Sequence, residues 1–254
     1  MSDHLTGAIW AFGWGIAAAS GGLLGGVLGL RTRLGHRAIA AFMSLGAGVL
    51  LSAASFKVAT EALVIAGALL TTGGVIAGAA TYSVANAILA SARDRKRCGE
   101  CKTQLSEAQA PGSGSSIALG TGLDAVPEAL VLGASLRAGG ADLGLIVALA
   151  LANVPEALSG TAGMKLASRS TGYVLKLWGW TTLGTATTTA VAFYFLHEVG
   201  PDATALLKAF GAGALISMTA ETMFPEAFHN GPRLSGVLAA SGFAALMLLN
   251  QLGM

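Results

Sequence analysis

Charged residues are scarce in this chain of 254 residues, and their scarcity excludes an ordinary soluble domain. Asp, Glu, Lys and Arg together make up 11% of the sequence, against about 25% in a soluble domain, and 54% of the residues are hydrophobic. Proline is also scarce, with 6 residues against 36 glycines. Two cysteines, close together in one loop, do not form a disulfide framework. The net charge of +2 gives no sign of a nucleic-acid partner.

Long apolar runs occupy most of the chain instead. A run of about 18 or more apolar residues is long enough to cross a bilayer as a helix. Eight runs are present, with approximate bounds 7–30, 38–63, 65–92, 116–136, 143–164, 172–196, 203–228 and 234–253, and a turn after Leu63 joins the second and third. The first run lacks a cationic start and is too long for a signal peptide, so we expect it to be retained. The predicted fold class is all-α: a polytopic membrane protein with eight transmembrane helices in one domain, 1–254.

One polar segment, residues 93–115, interrupts the apolar runs. It begins with a basic cluster and continues into a stretch rich in Gly, Ser and Pro, which cannot form a core. We expect a flexible cytoplasmic loop between spans 3 and 4. Cys98 and Cys101 lie in it, and their spacing offers only two of the four ligands that zinc prefers. The two cysteines are either an inert, reduced thiol pair or a transient metal-capture site, and the sequence leaves both interpretations open.

The basic residues follow the odd-numbered spans. All but Lys57, Arg137 and Lys208 of the 15 Lys and Arg fall around the loops after spans 1, 3, 5 and 7. Cytoplasmic loops are enriched in positive residues. The odd loops are therefore predicted to be cytoplasmic and both termini extracytoplasmic, in agreement with an even number of spans.

A glycine repeat lies in span 1. Gly21, Gly25 and Gly29 recur every four residues, which lets helix backbones approach closely. Packing within one bundle and a seam between two copies of the chain both fit this pattern.

The tripeptide Pro-Glu-Ala occurs three times within apolar runs. The copies begin at Pro127, Pro155 and Pro225, and the Thr-Glu-Ala at 60–62 is similar to them. A proline removes a helical hydrogen bond and a carboxylate is costly to bury, so packing alone explains neither residue. An ionisable residue inside a membrane span is by default a functional-site hypothesis.

Six carboxylates lie within the spans, and too few cations accompany them for ion pairing alone to neutralise them. The six are Glu61, Asp124, Glu128, Glu156, Glu221 and Glu226. Only Lys57 and Lys208 lie near them in the spans. The carboxylates must therefore be protonated, lined by water or bound to a cation.

The polar residues of spans 4 and 5 are spaced to share helix faces. Asp124 and Glu128 are separated by four residues, and Asn153 and Glu156 by three. Each proline also frees the carbonyl four residues before it. Two such helices facing each other predict an oxygen-rich site for a divalent cation near the middle of the membrane.

The order of these motifs resembles the ZIP family of divalent metal transporters. Residues 124–129, Asp-Ala-Val-Pro-Glu-Ala, stand where the family has His-Asn-x-Pro-Glu-Gly in helix 4. Residues 153–156, Asn-Val-Pro-Glu, match its helix 5 motif, and 46–63 and 211–227 resemble its helix 2 and helix 7 patterns. The resemblance covers essentially the whole chain. It implies alternating access, a homodimer, and zinc as the default substrate.

Three departures alter what the resemblance implies. Asp124 replaces the family's histidine and Ala125 its asparagine, while the glutamate often found in helix 6 is missing, with Thr181 the nearest candidate. Of the family's two metal positions, a single one is expected here. Its ligands would be Asp124, Glu128, Asn153 and Glu156. Oxygen ligands favour manganese, magnesium or calcium, whereas imidazole suits zinc, iron, copper and nickel, so manganese, iron and other divalent metals stay open beside zinc.

These residues predict a transporter that carries divalent metal ions into the cytoplasm, without a resident cofactor. Its partners would be the metal, the lipid bilayer and a second copy of the chain, and its location the plasma membrane or a bacterial inner membrane. The residues assigned to a pathway are Glu61, Glu221, Glu226 and His229. A solvated rim at the cytoplasmic end of span 7 is the other interpretation of the last three. Lys57 and Glu61, four residues apart, predict an ion pair within span 2 or a gating role.

Two other classes of function are alternatives to transport. A non-transporting membrane sensor or metal-binding protein would use the same site, and only flux separates it from a transporter. An intramembrane enzyme is disfavoured, because no His-Glu-x-x-His, Gly-x-Ser-x-Gly or paired-Asp motif appears within the spans. We therefore expect no enzyme.

Overall fold

The described part of the chain is almost entirely helical. A computed structural model describes residues 2–32, 34–92, 113–229 and 231–251, and it is 91% helix with no strand in these ranges. The elements are α1 (Ser2–Arg31), α2 (His36–Ser52), a π-helical segment π1 (Ala53–Ala59), α3 (Thr60–Ala92), α4 (Ser113–Gly139), α5 (Leu143–Leu166), α6 (Thr171–Phe195), α7 (Pro201–Met218), a second π-helical segment π2 (Thr219–Met223), α8 (Phe224–His229) and α9 (Ser235–Gln251). The all-α prediction is confirmed.

Four helical stretches are long and apolar enough to cross a membrane. They are His4–Arg31, His36–Leu89, Leu143–Leu166 and Pro201–His229. The remaining helices of the described ranges are shorter or more polar: α9 has 17 residues, and α4 carries two buried carboxylates. The chain therefore has the build of a helical membrane protein.

The longest stretch is divided in two at Gly67. This residue has φ 76° and ψ 171°, a conformation that interrupts the helix and that glycine adopts readily because it has no Cβ. The sequence predicts a turn after Leu63, so the structure places the break slightly later. The helix continues past Leu63 because the residues up to Ala66 are all compatible with it.

The predicted polar loop 93–115 lies mostly outside the described residues. Residues 93–112 belong to the part of the chain that is not described, and so do Cys98 and Cys101. Residues 113–115 are helical, because α4 begins at Ser113 rather than at 116. The prediction that the loop extends to residue 115 is thus wrong, since the helix already begins at Ser113.

A tight turn makes α4 and α5 antiparallel. Gly140 has φ 85°, and Asp142 caps α5 by accepting a hydrogen bond of 3.0 Å from the backbone N–H of Leu145. This turn brings the Pro-Glu-Ala of α5 back beside that of α4.

The glycines of α1 form its contact with α5. A Cβ added to Gly21 would lie 1.8 Å from the carbonyl oxygen of Ala150, and one added to Gly25 would lie 2.2 Å from that of Val154. Only glycine permits so close an approach of two helix backbones. The repeat therefore packs α1 against α5 within one bundle. Of the two interpretations left open by the sequence, the structure shows packing within the bundle.

Two helical segments repeat the same pattern in opposite directions. Gly-Ala-Gly at 46–48 precedes Glu-Ala at 61–62 by the same interval that separates Gly-Ala-Gly at 211–213 from Glu-Ala at 226–227. A π-helical segment lies between the two motifs in each case. Glu61, late in the first segment, contacts Lys208, early in the second, so the two segments run antiparallel.

Candidate functional site

The site lies where the proline-containing parts of α4 and α5 face each other. Pro127 and Pro155 are both inside continuous helices, and both are buried. The ring of Pro155 packs against α2, where a Cβ added to Gly46 would lie 2.8 Å from its Cγ. Packing of this kind lets a helix keep a proline in its interior.

Glu128 is the centre of the site. Its side chain is 3% exposed. Asn153 Nδ2 donates hydrogen bonds to Glu128 Oε2 at 2.7 Å and to the carbonyl oxygen of Leu149 at 2.8 Å. Glu128 Oε1 is also buried but makes no hydrogen bond with any described residue. One oxygen of a buried carboxylate is therefore left for another partner.

Glu156 is the charged neighbour of Glu128. It is 5% exposed, and the two carboxyl groups interact electrostatically across the α4–α5 contact. Two adjacent buried carboxylates repel each other unless a cation or protons neutralise them. The site thus offers two carboxylates and the side-chain oxygen of Asn153 as oxygen ligands.

Asp124 is bonded to α3. Its side chain is 1% exposed, and its Oδ1 accepts a hydrogen bond from the hydroxyl of the buried Tyr82. Asp124 lies one helical turn from Glu128, about 6 Å along the axis of α4. The sequence did not indicate Tyr82, although a polar group late in an otherwise apolar span was a usable signal.

Glu226 lies in α8, which follows π2, and its side chain is hydrogen-bonded to α5. It is 8% exposed, and the hydroxyl of Ser159 donates a hydrogen bond to its Oε1. Ser159 follows Glu156 by three residues and so lies on the same face of α5, one turn further along. The third Pro-Glu-Ala therefore contributes a buried carboxylate close to the first two, a position that the interpretation as a solvated rim did not anticipate.

Glu221 and His229 are more accessible. Both are exposed. Glu221 accepts hydrogen bonds from Ser83, from Asn86 Nδ2 at 2.9 Å and from Ser217 Oγ at 3.1 Å. The partners Ser83 and Asn86 were also missed from the sequence, although both are polar residues late in the apolar helix α3.

The opposite end of the bundle carries two ion pairs between helices. Lys57 Nζ contacts Asp142 Oδ2 at 2.6 Å, and Lys208 Nζ contacts Glu61 Oε2 at 2.6 Å. The prediction of a Lys57–Glu61 pair within span 2 missed these partners, because helical spacing shows only neighbours on the same helix. Lys208 is 2% exposed, so Glu61 neutralises a buried ammonium group.

A polar cavity of about 460 Å³ adjoins these ion pairs. Its lining includes Lys57, Glu61, Asp142, Ser135 and Asn250. Ser135 follows Glu128 by seven residues, so both lie on one face of α4, about 10 Å apart along its axis. The fully buried Leu132 lies between them.

The remaining candidate, Thr181, stays bonded to its own helix. Its hydroxyl donates to the carbonyl oxygen of Leu177 at 3.0 Å. In the described ranges no three His, Cys, Asp or Glu side chains converge on one point; the α4–α5 cluster combines two carboxylates with a carboxamide.

The comparisons with known proteins give no name to this arrangement. No family model matches the sequence, and no curated protein matches it.

Proposed function

We propose that this chain is a membrane transporter of divalent metal ions, similar to the ZIP family, with the metal bound between α4 and α5. Glu128 and Glu156 are the central ligands, Asn153 supplies a carboxamide oxygen, and Asp124 completes the set from one turn away. The metal is the substrate, and no covalent chemistry is involved.

The observation that carries the proposal is the unmatched oxygen of Glu128. A buried carboxylate oxygen without a hydrogen bond is destabilising by about 1–3 kcal/mol or more. Glu128 Oε1 is such an atom among the described residues, and the carboxyl group of Glu156 interacts with that of Glu128 electrostatically. A divalent cation at this point satisfies the oxygen and neutralises both charges.

The distribution of polar residues supports movement of the ion toward one end of the bundle. From Glu128, the side chains of Asp124, Glu226 and Glu221 continue toward the end where α3 ends and α4 begins. A row of carboxylates can pass a cation stepwise, provided that each site binds weakly enough to release it. The two ion pairs close the other end.

The antiparallel repeat of Gly-Ala-Gly and Glu-Ala also supports transport. Inverted repeats around a site near the bilayer midplane are a recurring design of secondary transporters, in which one part rocks against another. The Val-Pro-Glu-Ala-Leu sequences at 126–130 and 154–158 form a second antiparallel pair, and they bring the ligands to the same level.

The ligand chemistry favours a hard metal. Carboxylate and carboxamide oxygens suit manganese and magnesium, whereas zinc is bound more often with nitrogen or sulfur ligands. Zinc is the substrate that the family resemblance implies, and manganese is the substrate that the residues favour.

The proposal includes eight spans in a cell membrane, both termini outside and a homodimer. The Gly67 break provides the extra helix, since it divides the longest stretch into two arms. The loops rich in Lys and Arg are then cytoplasmic, and the row of carboxylates leads toward the cytoplasm.

Metal uptake into proteoliposomes tests the proposal. We expect uptake of at least one metal among Zn²⁺, Mn²⁺, Fe²⁺, Cd²⁺ and Co²⁺. Glu128→Gln and Glu156→Gln should each reduce uptake about tenfold or more, since even groups that only support metal ligands contribute 10–100-fold to affinity. Glu198→Gln, a change at an exposed glutamate between α6 and α7, is the matched control and should leave uptake intact.

The outcomes separate the alternatives. If no metal of the panel is taken up, the transport proposal is wrong. Binding without flux would identify a membrane metal sensor or storage protein that uses the same site. Uptake that survives both Gln variants would show that the metal passes elsewhere.

A further inference from the structure

Two histidines meet at the end of the bundle that carries the ion pairs. His4 lies in the first turn of α1, and His197 lies just beyond the end of α6. Their ring centroids are 3.7 Å apart, with the ring planes inclined by 69°. They are far apart in the sequence, so only the packing of α1 against α6 brings them together.

The backbone around the pair is fixed by close helix packing. Gly7 follows His4 by three residues, and Phe193 precedes His197 by four. A Cβ added to Gly7 would lie 2.8 Å from Cε1 of Phe193, and the Phe193 ring also packs edge-on against Trp10 with centroids 6.2 Å apart. The two imidazoles are therefore held by neighbouring helical turns that cannot separate without disrupting this contact.

We propose that His4 and His197 form a surface site for a divalent transition-metal ion, separate from the α4–α5 site. Two imidazole nitrogens bind one ion, and water completes its coordination. Imidazole selects zinc, copper, nickel and cobalt over manganese, magnesium and calcium. This site is chemically softer than the carboxylate site and takes a different group of metals.

The charges around the pair are compatible with a bound cation. The Glu198 carboxylate attracts a cation at His197, while the Arg137 guanidinium opposes it. His197 is exposed; desolvation of its ring by neighbouring atoms, followed by the nearby His4 and Arg137, lowers the pKa of His197 below its ordinary value. Neutral imidazole is the form that binds metals.

Histidine-selective NMR with Zn²⁺ as the probe tests the site in the full chain. The sequence contains four histidines, so selective labelling gives four ring signals. The signals of His4 and His197 should shift together, with one dependence on Zn²⁺ concentration. His36 is the internal control, and its signal should not follow that dependence.

Single variants provide the second half of the test. His4→Gln should weaken the Zn²⁺ response of His197 about tenfold or more, which corresponds to at least about 1.4 kcal/mol, and His197→Gln should do the same to His4. His36→Gln should change neither response. The proposal is overturned if the two signals respond at different Zn²⁺ concentrations in the unaltered chain, or if His197 responds unchanged in His4→Gln.

The result is independent of the proposed transport function. In a Glu128→Gln/Glu156→Gln chain the response of the two histidines should persist, although uptake is lost. Uptake that survives in this double variant contradicts the α4–α5 site alone, whereas histidine shifts that disappear in it contradict the separate histidine site alone.

Discussion

At the scale of single residues, the site depends on which buried polar atoms have partners. Asn153 and Tyr82 orient Glu128 and Asp124, while Glu128 Oε1 has no hydrogen-bond partner among the described residues. The helical spacing in the sequence was enough to indicate Glu128, Asn153 and Glu156. It could not indicate Tyr82, because a contact between distant helices depends on the fold.

Tyr82→Phe tests the role of the tyrosine. The change removes the hydroxyl that donates to Asp124 and leaves its buried Oδ1 without that donor. We expect a loss of about 1–3 kcal/mol in the free energy of unfolding, measured as a lower thermal midpoint in detergent, together with altered metal uptake. Tyr194→Phe, at an exposed tyrosine, is the control. Equal midpoints for the two variants would contradict the assigned contact.

At the scale of helices, glycines determine how closely elements approach and π-helical segments determine where side chains point. π2 lies directly before the Pro-Glu-Ala that carries Glu226. A π-helical turn holds an extra residue and shifts the register of the helix that follows. Helical periodicity assumes a constant register, which is why the sequence predicted a pathway position or a solvated rim for Glu226 but not its contact with Ser159.

The α1–α5 contact gives a stability prediction with an internal control. Gly25→Ala places a methyl group 2.2 Å from the Val154 carbonyl oxygen, so the helices must move apart at a cost of about 1–3 kcal/mol. Gly13 lies in the same helix and has no atom within 4 Å of an added Cβ. Gly13→Ala should be neutral or stabilise by up to about 1 kcal/mol. Thermal unfolding of the two variants compares them, and similar midpoints would show that α1 does not pack on α5 this way.

At the scale of the whole molecule, the chain is polarised between its two ends. Carboxylates continue from Glu128 toward one end, and ion pairs and the histidine pair lie at the other. Composition was sufficient to predict an all-α membrane protein, because so few charged residues exclude other classes. The ion-pair partners of Lys57 and Lys208 could not be predicted from composition, since they depend on the tertiary arrangement of the helices.

The proposed topology predicts which side of the membrane the native cysteines face. Cys98 and Cys101 are the only cysteines in the chain, and both fall in a loop predicted to be cytoplasmic. A membrane-impermeant maleimide should label the unaltered chain in inside-out vesicles but not in right-side-out vesicles. A Glu198→Cys variant lacking the native cysteines should show the opposite pattern. Labelling of the native cysteines from outside would invert the orientation and the direction of the proposed pathway.

The location of the bound metal tests the central claim most directly. Anomalous diffraction from Mn²⁺-loaded crystals should show a peak bounded by the carboxylates of Glu128 and Glu156 and the side chain of Asn153. The same peak should be absent from Glu128→Gln crystals. A peak elsewhere among the helices, or one that persists in Glu128→Gln, would contradict a metal site built on the Pro-Glu-Ala motifs of α4 and α5.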